Sequence, residues 1–338
     1  MQKKILFVYT NFSTFVRTDY EILSKVHNVT LYQFKPVKGL VKTAWQMIRQ
    51  KIFLLFNIWR FDVVYVWFAD YHSFLPVLFA KLFGKKSFVV VGGYDICRIR
   101  SLNYGVFISK FRGFFSSQSI KFCTLNLTVS KYVDRKVKWL FRNAKTQLIY
   151  NCVRLNNNID LFNKKDLVLT VGQIDNEQTF LRKGIDTFFE VAKLLPDFKF
   201  IVVGIDKTKL QNYLINISEN VILFKKVKQI ELTEFYSEAK FYAQFSRMDT
   251  FCLTLAEAML FGCYPIITNE GGMQEVIGEH GKIVKRNSFE ISAIIKNTII
   301  PIETNQNIIE YINYKFSPKI REQLILELIA KNFRYSNL

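Results

Sequence analysis

The sequence predicts an α/β protein of two open, Rossmann-like domains. Two observations carry this: short apolar runs alternate with amphipathic segments, and the alternation stops and then restarts halfway along the chain. A third agrees, since 338 residues with 50% hydrophobic content exceed what one core usually organises. In the first half the runs Ile5–Tyr9, Val29–Phe34, Val63–Trp67, Ser87–Val91, Leu125–Val129 and Gln147–Tyr150 read as buried parallel strands, being apolar throughout rather than at alternate positions. The second set comprises Leu167–Val171, Lys199–Val203, Val221–Phe224, Phe241–Phe245, Tyr264–Ile267 and Gly281–Val284. Between the sets, Asn151 to Lys165 breaks the apolar pattern with Asn156-Asn157-Asn158 and Asn163-Lys164-Lys165, as a surface connection does. After Val284 the pattern is helical, and Ser317-Pro318 marks a helix start with Ser as cap and Pro in the first turn. The expected domains are therefore 1–155 and 165–315, with a helix over 316–338 that packs back on the first domain.

Charge divides the chain unevenly. Residues 1–160 hold 25 Lys/Arg against 7 Asp/Glu, a net of +18, while the rest hold 22 against 21, a net of +1. So strong a field recruits polyanions, either nucleic acid or an anionic bilayer. Aromatic residues among the cations favour the bilayer. Over Lys35–Arg60, Lys38, Lys42, Arg49, Lys51 and Arg60 alternate with Trp45, Met47, Ile48, Phe53, Phe56 and Trp59. An interfacial helix has this pattern, and so does an amphipathic helix packed on a core.

Five cysteines show neither a paired motif nor zinc-like spacing with the three histidines, so reduced, buried thiols are expected. The apolar run after Lys3-Lys4 is too short for a signal peptide, and Lys or Arg interrupts every stretch that approaches a membrane span. The expected location is cytoplasmic, peripheral on the inner face of the membrane.

The chemistry concentrates between Ser246 and Glu275, which reads as strand end, loop, helix, strand and glycine turn. Asp249 precedes the helix and Glu257 lies two turns along it, so two carboxylates border one cleft, where they can grip hydroxyl pairs. Between them, the backbone N–H groups of Thr250, Phe251, Cys252, Leu253 and Thr254 approach a helix N-terminus, where the dipole holds a diphosphate. In the first half, Gly92-Gly93-Tyr94-Asp95 ends a strand with two small residues and a carboxylate, letting a ligand approach the backbone. It is expected to face an acceptor, together with Phe15 and Arg17 after the first strand.

The Ser246–Glu275 segment resembles the Glu-x7-Glu signature of retaining glycosyltransferases of family 4. Asp249 and Glu257 stand at the signature spacing, followed by Gly262, Pro265 and Gly271-Gly272-x-x-Glu275. The likeness extends over nearly the whole chain through Asp62-Val63-Val64, Val129-Ser130, Ile149-Tyr150-Asn151, Gly172-Gln173 and Arg182-Lys183-Gly184. It departs in having Asp249 for a usual Glu, Thr250 and Cys252 for glycines, Gln173 for a common Arg, and Asp95 in a region where His is frequent.

The resemblance implies a GT-B fold, two Rossmann-like domains facing across a cleft, and transfer of sugar from a UDP- or GDP-sugar with retained configuration. The acceptor would be a glycan or lipid-linked molecule in cell-surface polysaccharide biosynthesis. It implies that Arg182 and Lys183 neutralise the leaving diphosphate, that Gly172 and Gln173 border the donor, that Lys226 and Val227 seat the base, and that Asp95 orients the acceptor hydroxyl. No Asp-x-Asp pair occurs, so no metal and no cofactor are expected. Three alternatives stand beside this reading: a catalytically silent nucleotide-sugar or glycan-binding homologue, a nucleotide-sugar epimerase of the same architecture, and a nucleic-acid-binding protein, which the acceptor-like loops of the basic half disfavour.

Overall fold

In the computed structural model, which describes residues 2–154, 164–213 and 217–331, each expected strand is found. The first sheet holds β1 (Lys4–Tyr9), β2 (Asn28–Gln33), β3 (Val63–Trp67), β4 (Lys86–Val91), β5 (Leu125–Thr128) and β6 (Thr146–Leu148). All pair in parallel in the order β2-β1-β3-β4-β5-β6, with Ile5 opposite Val29 on one side and Val63 on the other. Its helices are α1 (Thr14–Ser24), α2 (Leu40–Asn57), α3 (Tyr71–Leu82), α4 (Lys110–Phe122) and α5 (Lys131–Leu140). The central strands β1, β3 and β4 are buried nearly end to end, which is why they lack a polar face in sequence.

The second sheet holds β7 (Lys165–Ile174), β8 (Lys199–Ile205), β9 (Val221–Phe224), β10 (Ala239–Gln244), β11 (Tyr264–Thr268) and β12 (Lys282–Val284). Its order is β12-β11-β10-β7-β8-β9, again parallel throughout. The helices are α6 (Glu177–Lys183), α7 (Ile185–Lys193), α8 (Gln229–Glu238), α9 (Leu253–Leu260), α10 (Met273–Ile277), α11 (Ser288–Asn297) and α12 (Ile302–Phe316). The chain builds outward from β7 through β8 to β9, then crosses to β10 on the other side. The direction of winding thus reverses between β7 and β10, and a crevice opens beyond their carboxyl ends.

Compactness divides the chain into one unit running to Asn151 and a second spanning Cys152–Pro318; from Lys319 the chain belongs to the first unit again. The returning helix α13 (Pro318–Ala330) is held by a buried ion pair. Arg321 Nε and Nη2 reach the two Asp19 oxygens at 2.6 and 2.7 Å, and Nη1 donates to the carbonyls of Ile149 and Tyr150. Tyr65 donates to the same carboxylate at 2.8 Å, so α1, β3, the segment after β6 and α13 meet at one polar node inside an apolar core. The connecting asparagines 156–158 and Asn163 lie outside the described residues. Among those described, no helix is long and apolar enough to cross a membrane.

Candidate active site

The crevice of the second sheet lies where β7 and β10 end. Lys183, the last residue of α6, reaches Asp249 with Nζ 2.7 Å from Oδ2, both side chains being largely buried. Burial alone would raise the Asp249 carboxyl, but the charges of Lys183 and Arg182 and the Phe251 N–H outweigh it and hold the group below the usual carboxylate range. Arg182 is tied to the same loop, its Nη1 donating to the Met248 carbonyl at 3.3 Å. On the other side, the Gly271-Gly272 turn presses on Asp249. The Gly272 N–H donates to the Asp249 carbonyl at 2.9 Å, and a Cβ on Gly271, which sits at φ +73°, would lie 1.9 Å from that oxygen. The Gly-Gly pair of the motif is therefore a clamp on the backbone of Asp249.

Helix α9 begins four residues later. No side chain caps its N-terminus; the Leu255 and Ala256 N–H groups donate back to the Cys252 carbonyl at 3.2 and 3.3 Å, and the N–H groups before them precede any intrahelical acceptor. Beneath it lies a polar cluster: Tyr242 donates to Thr254 Oγ1 at 2.8 Å, and Thr254 Oγ1 lies 3.3 Å from the Val171 carbonyl in the second half of β7. Cys252, the residue before α9, is left-handed at φ 63°, with Sγ 3.6 Å from Gln244 Oε1 and from Thr254 Oγ1. Burial, reinforced by Asp249, pushes its thiol up to about 12, so it stays protonated. One turn into α9, Glu257 accepts from the Tyr236 hydroxyl of α8 at 3.1 Å. Burial pushes Glu257 up to about 7, against the opposing effect of that hydrogen bond. The two carboxylates thus differ: Asp249 is held ionised by a cation, while Glu257 stands near half-protonation at neutral pH.

The remaining candidates of this unit sit around the same edge. Gly172 lies 3.6 Å below the Lys183 stem, measured from an ideal Cβ position. Gln173 is exposed and donates to Asp175 at 3.3 Å. Lys226 is exposed, with Val227 beside it, on the loop joining β9 to α8, the helix that carries Tyr236. Thr250 and Leu253 are partly exposed and Phe251 is buried. Sequence reasoning missed Tyr242, Gln244 and the Tyr236–Glu257 bond. Tyr242 and Gln244 look in sequence like ordinary strand residues, and only the crossing of α9 over β10 turns them into a platform.

In the first unit the expected acceptor carboxylate is bound by backbone groups. Asp95 is 1% exposed; its oxygens accept the N–H groups of Ala69 (3.1 Å), Gly92 (3.2 Å) and Gly93 (2.6 Å). In this position the carboxylate closes the β4 turn against the end of β3. Burial raises it to about 6, the three donors opposing. Gly92 is likewise set by packing, since a Cβ there would come within 2.3 Å of the Phe68 ring. Tyr94 accepts from Arg112 at 3.0 Å, and Arg112 also pairs with Asp70, the cap of α3. Phe15 packs on Trp67 and Phe68, and exposed Arg17 lies over the Phe12 ring. His72 is buried against the Trp67 carbonyl at 2.9 Å, and burial lowers its pKa, which leaves a neutral structural imidazole.

Residues 154–313, nearly the whole of the second unit, match one family model, that of glycosyl transferases group 1. The chain carries a glycosyltransferase domain. Solved structures agree on the fold across the whole molecule. The glycosyltransferase chain is similar to sucrose-phosphate synthase from Thermosynechococcus elongatus (13% identity, TM-score 0.76, covering 97% of this chain and 98% of that one). It is similar also to Anabaena HepE in complex with UDP and glucose (14%, 0.70, 98% and 100%). A third likeness is to the lipopolysaccharide outer core galactosyltransferase WaaB in its apo form (13%, 0.67, 96% and 99%). These similarities establish the GT-B fold of the glycosyltransferase. No curated protein matches its sequence.

Proposed function

We propose that this glycosyltransferase moves a sugar from a UDP- or GDP-sugar to a glycan or lipid-linked acceptor, with retained configuration and without a metal ion. The observation that carries the proposal is the Lys183–Asp249 pair standing at the N-terminus of α9, which no side chain caps, with Arg182 of α6 tied to the same loop and Glu257 one turn along. A diphosphate seated on the α9 N–H groups meets two cations and a helix dipole, which stabilise the charge that grows on the leaving group where a metal would otherwise be needed. Asp249, ionised, and Glu257, near its titration midpoint, accept hydrogen bonds from donor hydroxyls. Two features support a nucleotide-sugar in particular: acceptors for hydroxyls lie beside a seat for phosphates, and the neighbour HepE was solved with UDP and glucose.

In the retaining reading, the acceptor hydroxyl attacks the anomeric carbon on the face from which the diphosphate departs. The carbon–oxygen bond to phosphate breaks as the new glycosidic bond forms, and a phosphate oxygen takes the proton. No protein base is required, which fits a site whose one elevated carboxylate is engaged by Tyr236. The acceptor belongs to the N-terminal unit, where Arg17, Tyr94 and the Gly92-Gly93 turn line the carboxyl ends of the strands, and where the +18 charge favours an anionic membrane over a neutral one. On this reading the enzyme works at the cytoplasmic face of the membrane in cell-surface polysaccharide assembly. The test is to incubate purified protein with UDP-, GDP- and dTDP-sugars in EDTA and measure nucleoside diphosphate release, with and without lipid-linked acceptors. Release from one donor that persists in EDTA is expected; release abolished by EDTA, or none from any donor with no nucleotide binding, overturns the proposal.

A further inference from the structure

Helix α2 is folded inside out. Its inward stripe carries the buried Thr43, Gln50 and Leu54, and Gln50 donates to the His72 carbonyl at 3.0 Å, tying α2 to α3. The Tyr32 and Phe53 rings meet at 4.7 Å between centroids, tilted by 39°, and tie it to β2. The opposite stripe, Val41, Trp45, Ile48, Ile52 and Phe56, continued by Trp59 in the helical turn Ile58–Arg60 that follows α2, faces solvent, with Trp45 68%, Phe56 67% and Trp59 54% exposed. These residues recur at intervals of three and four, so they form one continuous apolar face. Soluble helices bury such a stripe, and an exposed one of this length marks a contact surface.

Charge identifies the occupant. Between Glu21 and Asp62 the chain has no acidic residue, while Lys25, Lys35, Lys38, Lys42, Arg49, Lys51 and Arg60 fall within that stretch. On α2 itself, Lys42, Arg49 and Lys51 are exposed beside the apolar face. A second copy docking here would bring two strongly cationic surfaces together, which repel. An anionic bilayer complements both features: its headgroups receive the Lys and Arg, and its interfacial layer receives tryptophan and phenylalanine.

We infer that α2 is a bilayer-docking helix that lies in the plane of an anionic lipid surface with the Trp45–Trp59 face inserted. It deepens the proposed function by naming the surface that meets the membrane, and rests on that reading for its purpose alone. The experiment is flotation of the full chain with phosphatidylcholine vesicles with and without phosphatidylglycerol, in the absence of nucleotide-sugar. Binding is expected only with phosphatidylglycerol, weakened by high salt, with a blue shift of tryptophan emission. The variant Trp45→Ser/Phe56→Ser/Trp59→Ser should bind at least about tenfold more weakly while keeping its melting temperature and its donor release in vesicle-free buffer. Ile52→Lys, a single change at the centre of the face, gives the same loss if the triple variant does not fold. Failure of the wild-type chain to float with phosphatidylglycerol overturns the inference, as does equal binding by the variants. So does a wild-type dimer that these changes convert to monomer, which would make a second copy the occupant. Donor release is read without vesicles, so loss of one activity is separable from loss of the other.

Discussion

In the first unit, the polar groups at the carboxyl ends of the strands are consumed by the fold: Asp95 by three backbone donors, Asp70 by Arg112, His72 by a carbonyl. In the second unit, the corresponding edge keeps Lys183, Asp249 and Glu257 beside an uncapped helix. Both sheets are six parallel strands, so architecture alone does not separate them. The difference lies in what the charges face: at one edge they hold loops through backbone groups and a buried ion pair, while at the other Lys183 meets Asp249 and Glu257 meets Tyr236 beside the start of α9, where we propose that the donor binds. A buried carboxylate is therefore read by what faces it: Asp249 faces a cation, and Asp95 faces three backbone N–H groups.

Four measurements break or sharpen that contrast. The largest effect is expected from Lys183→Ala, which removes the cation nearest the diphosphate seat: kcat/KM for donor release should fall by about 10²–10³-fold. A decrease below tenfold would place the phosphate elsewhere. Next is Arg321→Ala, which strands a buried Asp19; unfolding in urea should show a loss of about 3–5 kcal/mol, with donor affinity unchanged once the protein is folded. Asp95→Asn should cost about 1–3 kcal/mol of stability by leaving a turn N–H unpaired, with KM for the acceptor within about threefold of wild type. A large rise in acceptor KM at unchanged stability would restore Asp95 to the acceptor.

The smallest effect concerns pH. Burial raises Glu257 from 4.5 to about 7 and Asp95 from 3.8 to about 6, so across these windows the folded protein keeps protons that the unfolded chain has released. Their contribution to stability is complete below the lower values and is lost as pH rises through the upper ones. Glu257→Gln should flatten the decline of stability between pH 6 and 7, where Glu257 keeps more of its proton than Asp95 does, as read by urea midpoints. An unchanged slope there would mean that Glu257 titrates normally.

The strands were legible because a strand buried on both faces must be apolar at every position, and that signal is local. Boundaries moved where the partner decided them: β7 runs to Ile174, beyond the apolar run ending at Val171, because it continues beside β8 as far as Ile205. The proposed phosphate seat was visible in the sequence too, since a carboxylate, a helix start and a second carboxylate at fixed spacing occupy one stretch of chain. The direct bond between Lys183 and Asp249 was not, because those residues are brought together only by the neighbouring ends of β7 and β10.

The sequence by itself determined the two parallel sheets, the order of their elements, the unequal charge of the halves and the apolar stripe on α2, all of which follow from patterns within a few turns of chain. Tertiary structure decided which way those patterns face. Gln50 bonding to the His72 carbonyl holds the Thr43–Gln50 side of α2 inward and leaves Trp45 outward, and Ala69 donating to Asp95 holds a carboxylate within the protein. The physical reason is the same in both cases: a buried polar group must find its partner, and here the partner lies more than twenty residues away.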